Sequence, residues 1–410
     1  MTNELENVPD LRFPEFKGEW EEKKLSDVGY YSKSYPYSRA MEGEGIIHHI
    51  HYGDIHSKLP SKINDINLLP TIVENRDFEF VEKGDIIFAD ASEDYKDLGK
   101  AVLIDIEDNN IIAGLHTHVF RLNPEITAEF LINFTKTLNY YKFIKKQGTG
   151  ISVLGISKKN LSNLTLNIPA YNEQQKIGRF FSKLDRQIEL EEQKLAKLEE
   201  QKKGYMQKIF YQELRFKDEN GNNYPEWEEK KLGDLISEIS IKTKTNNQYT
   251  LLSSTKNGLV SQEEYFRKQI GSKDNTGYKI LKLNQMVISP QNLWLGNINF
   301  NEQFNIGIVS PSYRVFELNT TFYLPFAKNI LRSARYIYEY SQASEQGASV
   351  VRRNLNIDLF NDIKINLPII EEQEKIGNFF SEIDKIIEKK SQKIDGLKSR
   401  KKGFLQKMFV

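Results

Sequence analysis

Forty-seven residues of this chain occur twice. Residues 164–210 and 363–409 align at a constant offset of 199 with no gap, and 22 of the 47 positions are identical. Chance matching gives roughly one identity in twenty, so duplication is the direct reading. Within each copy, apolar residues recur at alternating steps of four and three. The first copy gives Ile177, Phe181, Leu184, Ile188, Leu195 and Leu198; the second gives Ile376, Phe380, Ile383, Ile387, Ile394 and Leu397. The polar exceptions, Glu191 with Lys390 and Lys202 with Lys401, fall at equivalent places. A 3.5-residue period is a coiled-coil seam, and it predicts two helices of roughly 60 Å each. Packed antiparallel about a pseudo-two-fold axis, they would pair Leu195 with Leu397, Leu198 with Ile394 and Glu191 with Lys401. A slip of one heptad is equally compatible with the pattern.

The duplication reaches further. Trp20-Glu21-Glu22-Lys23-Lys24-Leu25 recurs as Trp227-Glu228-Glu229-Lys230-Lys231-Leu232. Each copy therefore runs from a shared opener through a variable middle to a shared helix. The middles hold short runs of Ile, Val, Phe and Tyr separated by Gly, Asn and Asp, which read as strands and turns. Helical spacing is expected over 129–146 and 322–340. Pro169 and Pro368 stand just before the long helices, with Asn172 as the expected N-cap of the first. The expected fold class is α+β: two tandem mixed α/β domains separated by two long helices in an antiparallel coiled coil. The expected boundaries are a frayed 1–10, a first domain 11–165, a first helix 166–211, a second domain 212–364 and a second helix 365–410.

Composition narrows the function classes. The chain has no cysteine, so disulfides and thiolate metal sites are excluded, as suits a reducing cytosol. No signal-like segment or membrane-length apolar run is visible, and the expected location is the cytoplasm. Basic and acidic residues balance at 57 each, so a nucleic-acid reading must rest on local charge. Such a cluster exists: residues 130–160 contain Lys136, Lys142, Lys145, Lys146, Lys158 and Lys159 and no Asp or Glu. The equivalent stretch, 329–359, carries Arg332, Arg335, Arg352 and Arg353 against Glu339, Glu345 and Asp358. Cations clustered on one surface neutralise phosphates, and interleaved Tyr, Gln, Thr and Ser reach bases. A solvated helix face is the plain alternative; recurrence in both copies favours function.

The residues expected at DNA are Tyr52, His56, Lys58, Ser92, Tyr95, Lys96, Lys142, Lys145, Lys146, Thr149 and Lys158 in the first copy. In the second they are Ser254, Thr255, Lys256, Asn257, Gln291, Asn292, Arg332, Arg335, Ser349, Arg352 and Arg353. All six histidines lie in the first copy, His48, His49, His51, His56, His116 and His118. The His-x-His pairs have no second-copy counterpart, so surface or half-buried histidines are expected rather than a metal site. No phosphate-binding Gly-x-x-x-x-Gly-Lys-Ser/Thr, Asn/Asp-Pro-Pro-aromatic stretch or Gly-rich cofactor loop occurs, and no catalytic residue is expected.

Taken in order, these features resemble the specificity subunit of type I restriction–modification systems. The resemblance spans essentially the whole chain. Its carriers are Leu11-Arg12-Phe13-Pro14-Glu15-Phe16 with Trp20 to Leu25, Tyr224-Pro225-Glu226-Trp227, and Gly84-Asp85-Ile86-Ile87-Phe88. Ile168-Pro169…Glu173-Gln174-Gln175-Lys176-Ile177 and Leu367-Pro368…Glu372-Gln373-Glu374-Lys375-Ile376 complete them. The second copy departs at Asn284-Gln285-Met286-Val287-Ile288, which stands where the first has Gly-Asp. The resemblance implies that each middle is a target-recognition domain reading one half of a split double-stranded DNA site. It implies that the helices space the halves and dock two modification (methyltransferase) subunits, which restriction subunits join. S-adenosylmethionine, ATP and Mg would sit on those partners and no cofactor on this chain, in a bacterial cytoplasm. A structural coiled-coil scaffold, a non-specific DNA-binding protein and a stand-alone enzyme are the competing readings.

Overall fold

The computed structural model describes residues 7–74, 76–107, 110–255, 258–266, 274–346 and 353–410. It divides into two compact units, Met1–Gln193 with Gln392–Val410, and Lys194–Ser391. Each long helix, Tyr171–Phe210 and Ile370–Lys407, contributes to both.

The two repeated ends of each copy are hydrogen-bonded to one another. In the first unit, strand Glu21–Lys24 pairs antiparallel with Thr165–Ile168, Glu21 opposite Ile168. In the second, Glu228–Lys231 pairs with Lys364–Leu367 in the same way. The ribbon closes the middle into a domain whose ends meet at the base of a long helix. Opener and pre-helix segment are thus one structural element, which explains why both are shared.

The middles share a frame that their sequences conceal. The first holds a sheet in the order Gly29–Tyr31, Thr117–Leu122, Ile86–Ala89, Ala101–Ile104, Lys62–Ile63. The second repeats the first four places as Ile236–Ile239, Arg314–Leu318, Met286–Ile288, Ile298–Phe300. The first adds a three-stranded sheet of Thr71–Ile72, Glu42–Ile50 and Ile111–Ala113.

The departure at 284–288 is a matched substitution within this frame. Gly84 and Asn284 both take positive φ, +95° and +66°, which asparagine tolerates better than most side chains. Asp85 accepts from the Glu82 amide at 2.7 Å, and Gln285 Oε1 accepts from the Lys282 amide at 2.7 Å. Asp85 is 1% exposed and forms a two-bond ion pair with Arg121, at 2.9 and 2.8 Å. Gln285 instead donates to Glu317 at 2.9 Å. One acid–base pair has become an amide–acid pair with the backbone geometry kept.

The helical spans are broken rather than continuous. Residues 129–146 form two helices, Ala128–Phe134 and Leu138–Gln147. The Thr137 side chain caps the second by accepting from the Tyr140 amide. The break turns Leu138 and Tyr141 outward and Tyr140 and Ile144 into the core. The second unit repeats this with Leu324–Ile330 and Ala334–Gln342. Gly178 and Gly377 permit the first helix of each pair to lie against a long helix. A Cβ on Gly178 would stand 2.6 Å from the Glu129 Cβ, and one on Gly377 2.8 Å from the Phe326 nitrogen.

The long helices start at Tyr171 and Ile370, so Asn172 lies inside the first turn rather than at its cap. Buried Gln174 ties that turn down. It accepts from the Thr127 amide at 2.9 Å and donates to the carbonyls of Pro169 and Glu125. Gln373 does the same with Tyr323, Pro368 and Thr321. Beside them Arg12 grips Glu173 with two 2.7 Å bonds, and Arg215 grips Glu372 at 3.2 and 2.8 Å. Glu173 and Glu372 are 1% and 0% exposed, so each buried carboxylate carries its own cation, as burial of charge requires.

Within each unit the two long helices run antiparallel. In the first, Leu184 and Ile188 pack with Leu397 and Phe404, and Phe180 meets Phe404 at 5.1 Å. In the second, Tyr205 meets Phe379 at 5.3 Å. All twelve apolar seam positions are buried or half-buried. The register differs by about one heptad from the pairing of Glu191 with Lys401. Lys401 bonds Asp185, six residues before Glu191, and Glu191 takes Lys393 at 3.1 Å, eight residues before Lys401. Lys202 bonds Asp384 at 2.5 Å, the repeat-equivalent of the Lys401–Asp185 pair. An apolar period cannot distinguish registers seven residues apart. These ion pairs and the aromatic contacts at the helix ends do.

The end of each helix completes a core. Phe409 stands 5.3 Å from Phe130, 6.0 Å from Phe181 and 6.4 Å from Trp20 in the first unit. Phe210 takes the same place in the second, 5.9 Å from Phe380 and 6.0 Å from Phe326.

Candidate nucleic-acid interface

The lysine-rich stretch of the first unit is sorted by the helix break. Lys142, Lys145 and Lys146 are exposed, the last two in the final turn of helix Leu138–Gln147 where cations suit the helix dipole. Ser157 caps the next helix, Lys158–Ser162, by accepting from the Asn160 amide. The Asn160 side chain then donates to the Gln147 carbonyl at 3.1 Å. That bond joins the end of one helix to the start of the next, where Lys159 is exposed. The other two lysines turn inward. Lys158 donates to the Ser32 carbonyl at 3.3 Å and lies over the Tyr31 ring. Lys136 donates to Ser61 Oγ at 2.9 Å, 3.9 Å from Asp185, and burial lowers its pKa to about 8. Tyr140, taken from the sequence as an aromatic among the cations, is a core residue whose hydroxyl donates to the Gly99 carbonyl.

Between these helices the chain projects a tight loop. Thr149 and Gly155 exchange two backbone hydrogen bonds, 2.9 and 2.7 Å, and Leu154 and Gly155 pair with Ser92 and Ala91. Thr149 is exposed at its start. Ser92 is buried, its Oγ accepting from the Asp94 amide, so it braces the loop rather than facing a ligand. Tyr95 is half-buried in the core, and Lys96 is exposed.

The loop base adjoins a histidine–tyrosine cluster. Asp90 accepts from the Ile156 amide through its carbonyl, and its own amide donates to the His116 carbonyl. Its carboxylate lies 3.1 Å from His116 Nδ1 and 3.5 Å from His118 Nδ1, and His118 Nε2 donates to the Ile156 carbonyl. The Tyr52 ring sits 5.3 Å from His116, 5.5 Å from His56 and 4.5 Å from His51. Burial lowers the pKa of His49, His51, His56 and His118, most strongly opposed in His118 by Asp90. Burial favours the neutral ring, which has one donor and one acceptor nitrogen; His51 Nδ1 accepts from the Gly53 amide and His118 Nε2 is spent on the Ile156 carbonyl. Lys58, which follows the short helix Tyr52–Ser57, is exposed beside Asp54 at 3.5 Å. Among the described residues no three His, Asp or Glu side chains converge as metal ligands.

Tyr52, His56, Ser92 and Thr149, chosen from separate segments, thus gather around Asp90 and the loop. Asp90, Ile151 and Val153, which the sequence does not single out, lie with them, as does His116. His116 carried a signal in its His-x-His spacing. The others carried none, since their position depends on pairing between distant strands.

The second unit builds a different surface. Ser254 is buried, bonded to Asn297 and Asn299, and the Thr255 carbonyl accepts from Asn299. Both residues are engaged within the fold, Thr255 Oγ1 donating to the Gly258 carbonyl. Gln291 is exposed, and Asn292 is half-buried where the turn Leu293–Leu295 begins. The Gln291 carbonyl accepts from the Arg353 amide, and the Arg353 guanidinium lies 4.4 Å over Trp294. Arg335 lies over the buried Tyr336 ring at 5.5 Å. Arg332 is exposed by area, although crowding by protein atoms, opposed by Asp384 and Glu302, lowers its pKa. Lys256, Asn257, Ser349 and Arg352 lie outside the described residues.

The family model for the type I restriction modification DNA specificity domain matches the chain twice, over residues 17–200 and 224–399. A Methanocaldococcus jannaschii protein assigned as the type I restriction enzyme MjaX specificity subunit is 23% identical over 346 residues, covering 78% of this chain and 76% of that one. The crystal structure of a type I restriction-modification S subunit from M. genitalium superposes with a TM-score of 0.56 at 17% identity, over 98% of this chain and 99% of that one. A structure from work on assembly and conformational transition of the type I R-M system gives 0.54 at 15% identity, over 94% and 96%. At these identities the structural likeness carries the fold alone.

Proposed function

The chain belongs to the type I restriction–modification DNA specificity family, and from that premise we propose that its two units each read one half of a split double-stranded DNA site. One observation carries this reading: a single frame is built twice, and the surfaces mounted on it differ. The first carries the Lys145–Lys146 edge, the loop 149–155 and the Tyr52–His116 cluster. The second carries Arg353 stacked on Trp294 beside Gln291. Such a pair of surfaces suits two different half-sites, with lysines positioning the phosphate backbone and polar side chains reading base edges.

The recognition domains are residues 11–165 and 212–364, and the helical segments 166–211 and 365–410 fix their spacing and dock two methyltransferase subunits, which restriction subunits join. The chain itself does no chemistry. Adenine methylation with S-adenosylmethionine and ATP-driven cleavage with Mg belong to those partners, in the bacterial cytoplasm. No described helix is long and apolar enough to cross a membrane. Replacing residues 11–165 with the matching domain of another family member tests the proposal. Methylation sequencing should show one half of the modified motif changed and the other kept; change in both halves would overturn it.

A further inference from the structure

The loop 149–155 is closed at its base by backbone hydrogen bonds, and its tip is apolar. Ile151 is 101% exposed and Val153 62% exposed, while their neighbours Leu154 and Ile156 are 6% and 3% exposed in the core. Gly150 has φ +125°, and a Cβ there would stand 2.0 Å from the Val153 carbonyl oxygen, so the turn admits only glycine. Reciprocal Thr149–Gly155 bonds and the pairing of Leu154 with Ser92 fix the base. A loop that met only water would gain nothing from two β-branched apolar side chains held outward on a braced turn.

The charge around the tip indicates what covers it. Exposed Lys145 and Lys146 lie in the last turn of the helix before the loop, with exposed Lys142 earlier in it, and exposed Lys159 is the second residue of the helix after it. Across the Ser92 strand lie Glu93 and Asp94, and the Asp94 carboxylate is occupied by the amides of Lys96 and Asp97. A cationic collar around an apolar point is complementary to a duplex, whose phosphates flank stacked bases and thymine methyl groups.

We propose that residues 149–155 form a fingertip that enters the DNA, with Ile151 and Val153 packed on the bases of the half-site read by the first unit. This rests on the DNA-recognition reading above. The test uses the full chain assembled with its methyltransferase subunits and a duplex carrying the motif mapped by methylation sequencing, against one scrambled in either half-site. The variant I151S/V153S should assemble normally and keep the salt dependence of binding. Its preference for the intact over the scrambled first half-site should fall about tenfold or more, with the second half-site unaffected. The comparison variant K145Q/K146Q should weaken binding to all sequences and flatten the salt slope by about one to two.

An unchanged preference in I151S/V153S, with K145Q/K146Q weakened, overturns the fingertip and leaves the DNA reading standing. Loss of assembly in I151S/V153S, with its circular dichroism unchanged, makes the tip a protein contact and also overturns it. Sequence-independent binding by the unaltered complex sinks the DNA reading itself.

Discussion

Phe409→Ala probes the way each domain is completed by the end of a long helix. Phe409 is 6% exposed and touches the rings of Trp20, Phe130, Phe134 and Phe181. Truncating such a side chain costs about 3–5 kcal/mol through lost transfer energy and the cavity left behind. Against a total domain stability of about 5–15 kcal/mol, that is a large fraction. Hydrogen exchange read by mass spectrometry localises the loss. At about 1.4 kcal/mol per factor of ten, peptides spanning 20–28 and 128–147 should exchange roughly 100- to 3000-fold faster where global opening governs them. Peptides spanning 232–239 and 324–342 should change far less, and Phe210→Ala should reverse the pattern. Equal acceleration in both sets, or none in the first, would refute the assignment of each helix end to its core.

Three further outcomes follow from named contacts. Asp85→Gln alone should destabilise the first unit by about 1–3 kcal/mol, because Arg121 loses its buried partner and keeps the exposed Glu82 carboxylate at 2.7 Å. Adding Arg121→Glu should restore most of that by recreating the Gln285–Glu317 pair; urea denaturation of single and double variants measures it. Lys136 has its folded pKa lowered from 10.5 to about 8. Between those values the unfolded chain binds more protons, so this group makes stability rise with pH from about 8 upward. Lys136→Met should flatten that rise, and parallel stability–pH curves for the two proteins would contradict it. Cysteines at 188 and 397 should crosslink and cysteines at 191 and 401 should not, in a chain with no native cysteine.

The parts of this fold that were legible in the sequence are those set by local period and by duplication. Leu184, Ile188 and Leu397 declared a seam because burial on one helix face imposes spacing, and Ile177 and Phe181 continue that face into the domain core. The opener and the pre-helix segment declared themselves by recurrence, although only the structure shows that they pair. The helix register stayed hidden because it is decided by Lys401 with Asp185 and Phe180 with Phe404, side chains that no single helix brings together. In the same way Lys136 and Lys142 are indistinguishable as letters. A break at Thr137 caps a new helix and leaves one lysine beside Asp185 and the other in solvent. Ser254 offered a hydroxyl suited to a base; instead it donates to Asn297 Oδ1 and accepts from Asn299 Nδ2. The Gly84-Asp85 to Asn284-Gln285 change looked like a departure until Arg121 and Glu317 appeared as the compensating partners.

Mapping adenine methylation across a genome in cells with and without this chain, supplied with the same methyltransferase subunits, tests the central claim most directly. Two different half-sites held at a constant spacing, modified only when the chain is present, are the expected result. A continuous motif, or methylation unchanged by removing the chain, would contradict the account.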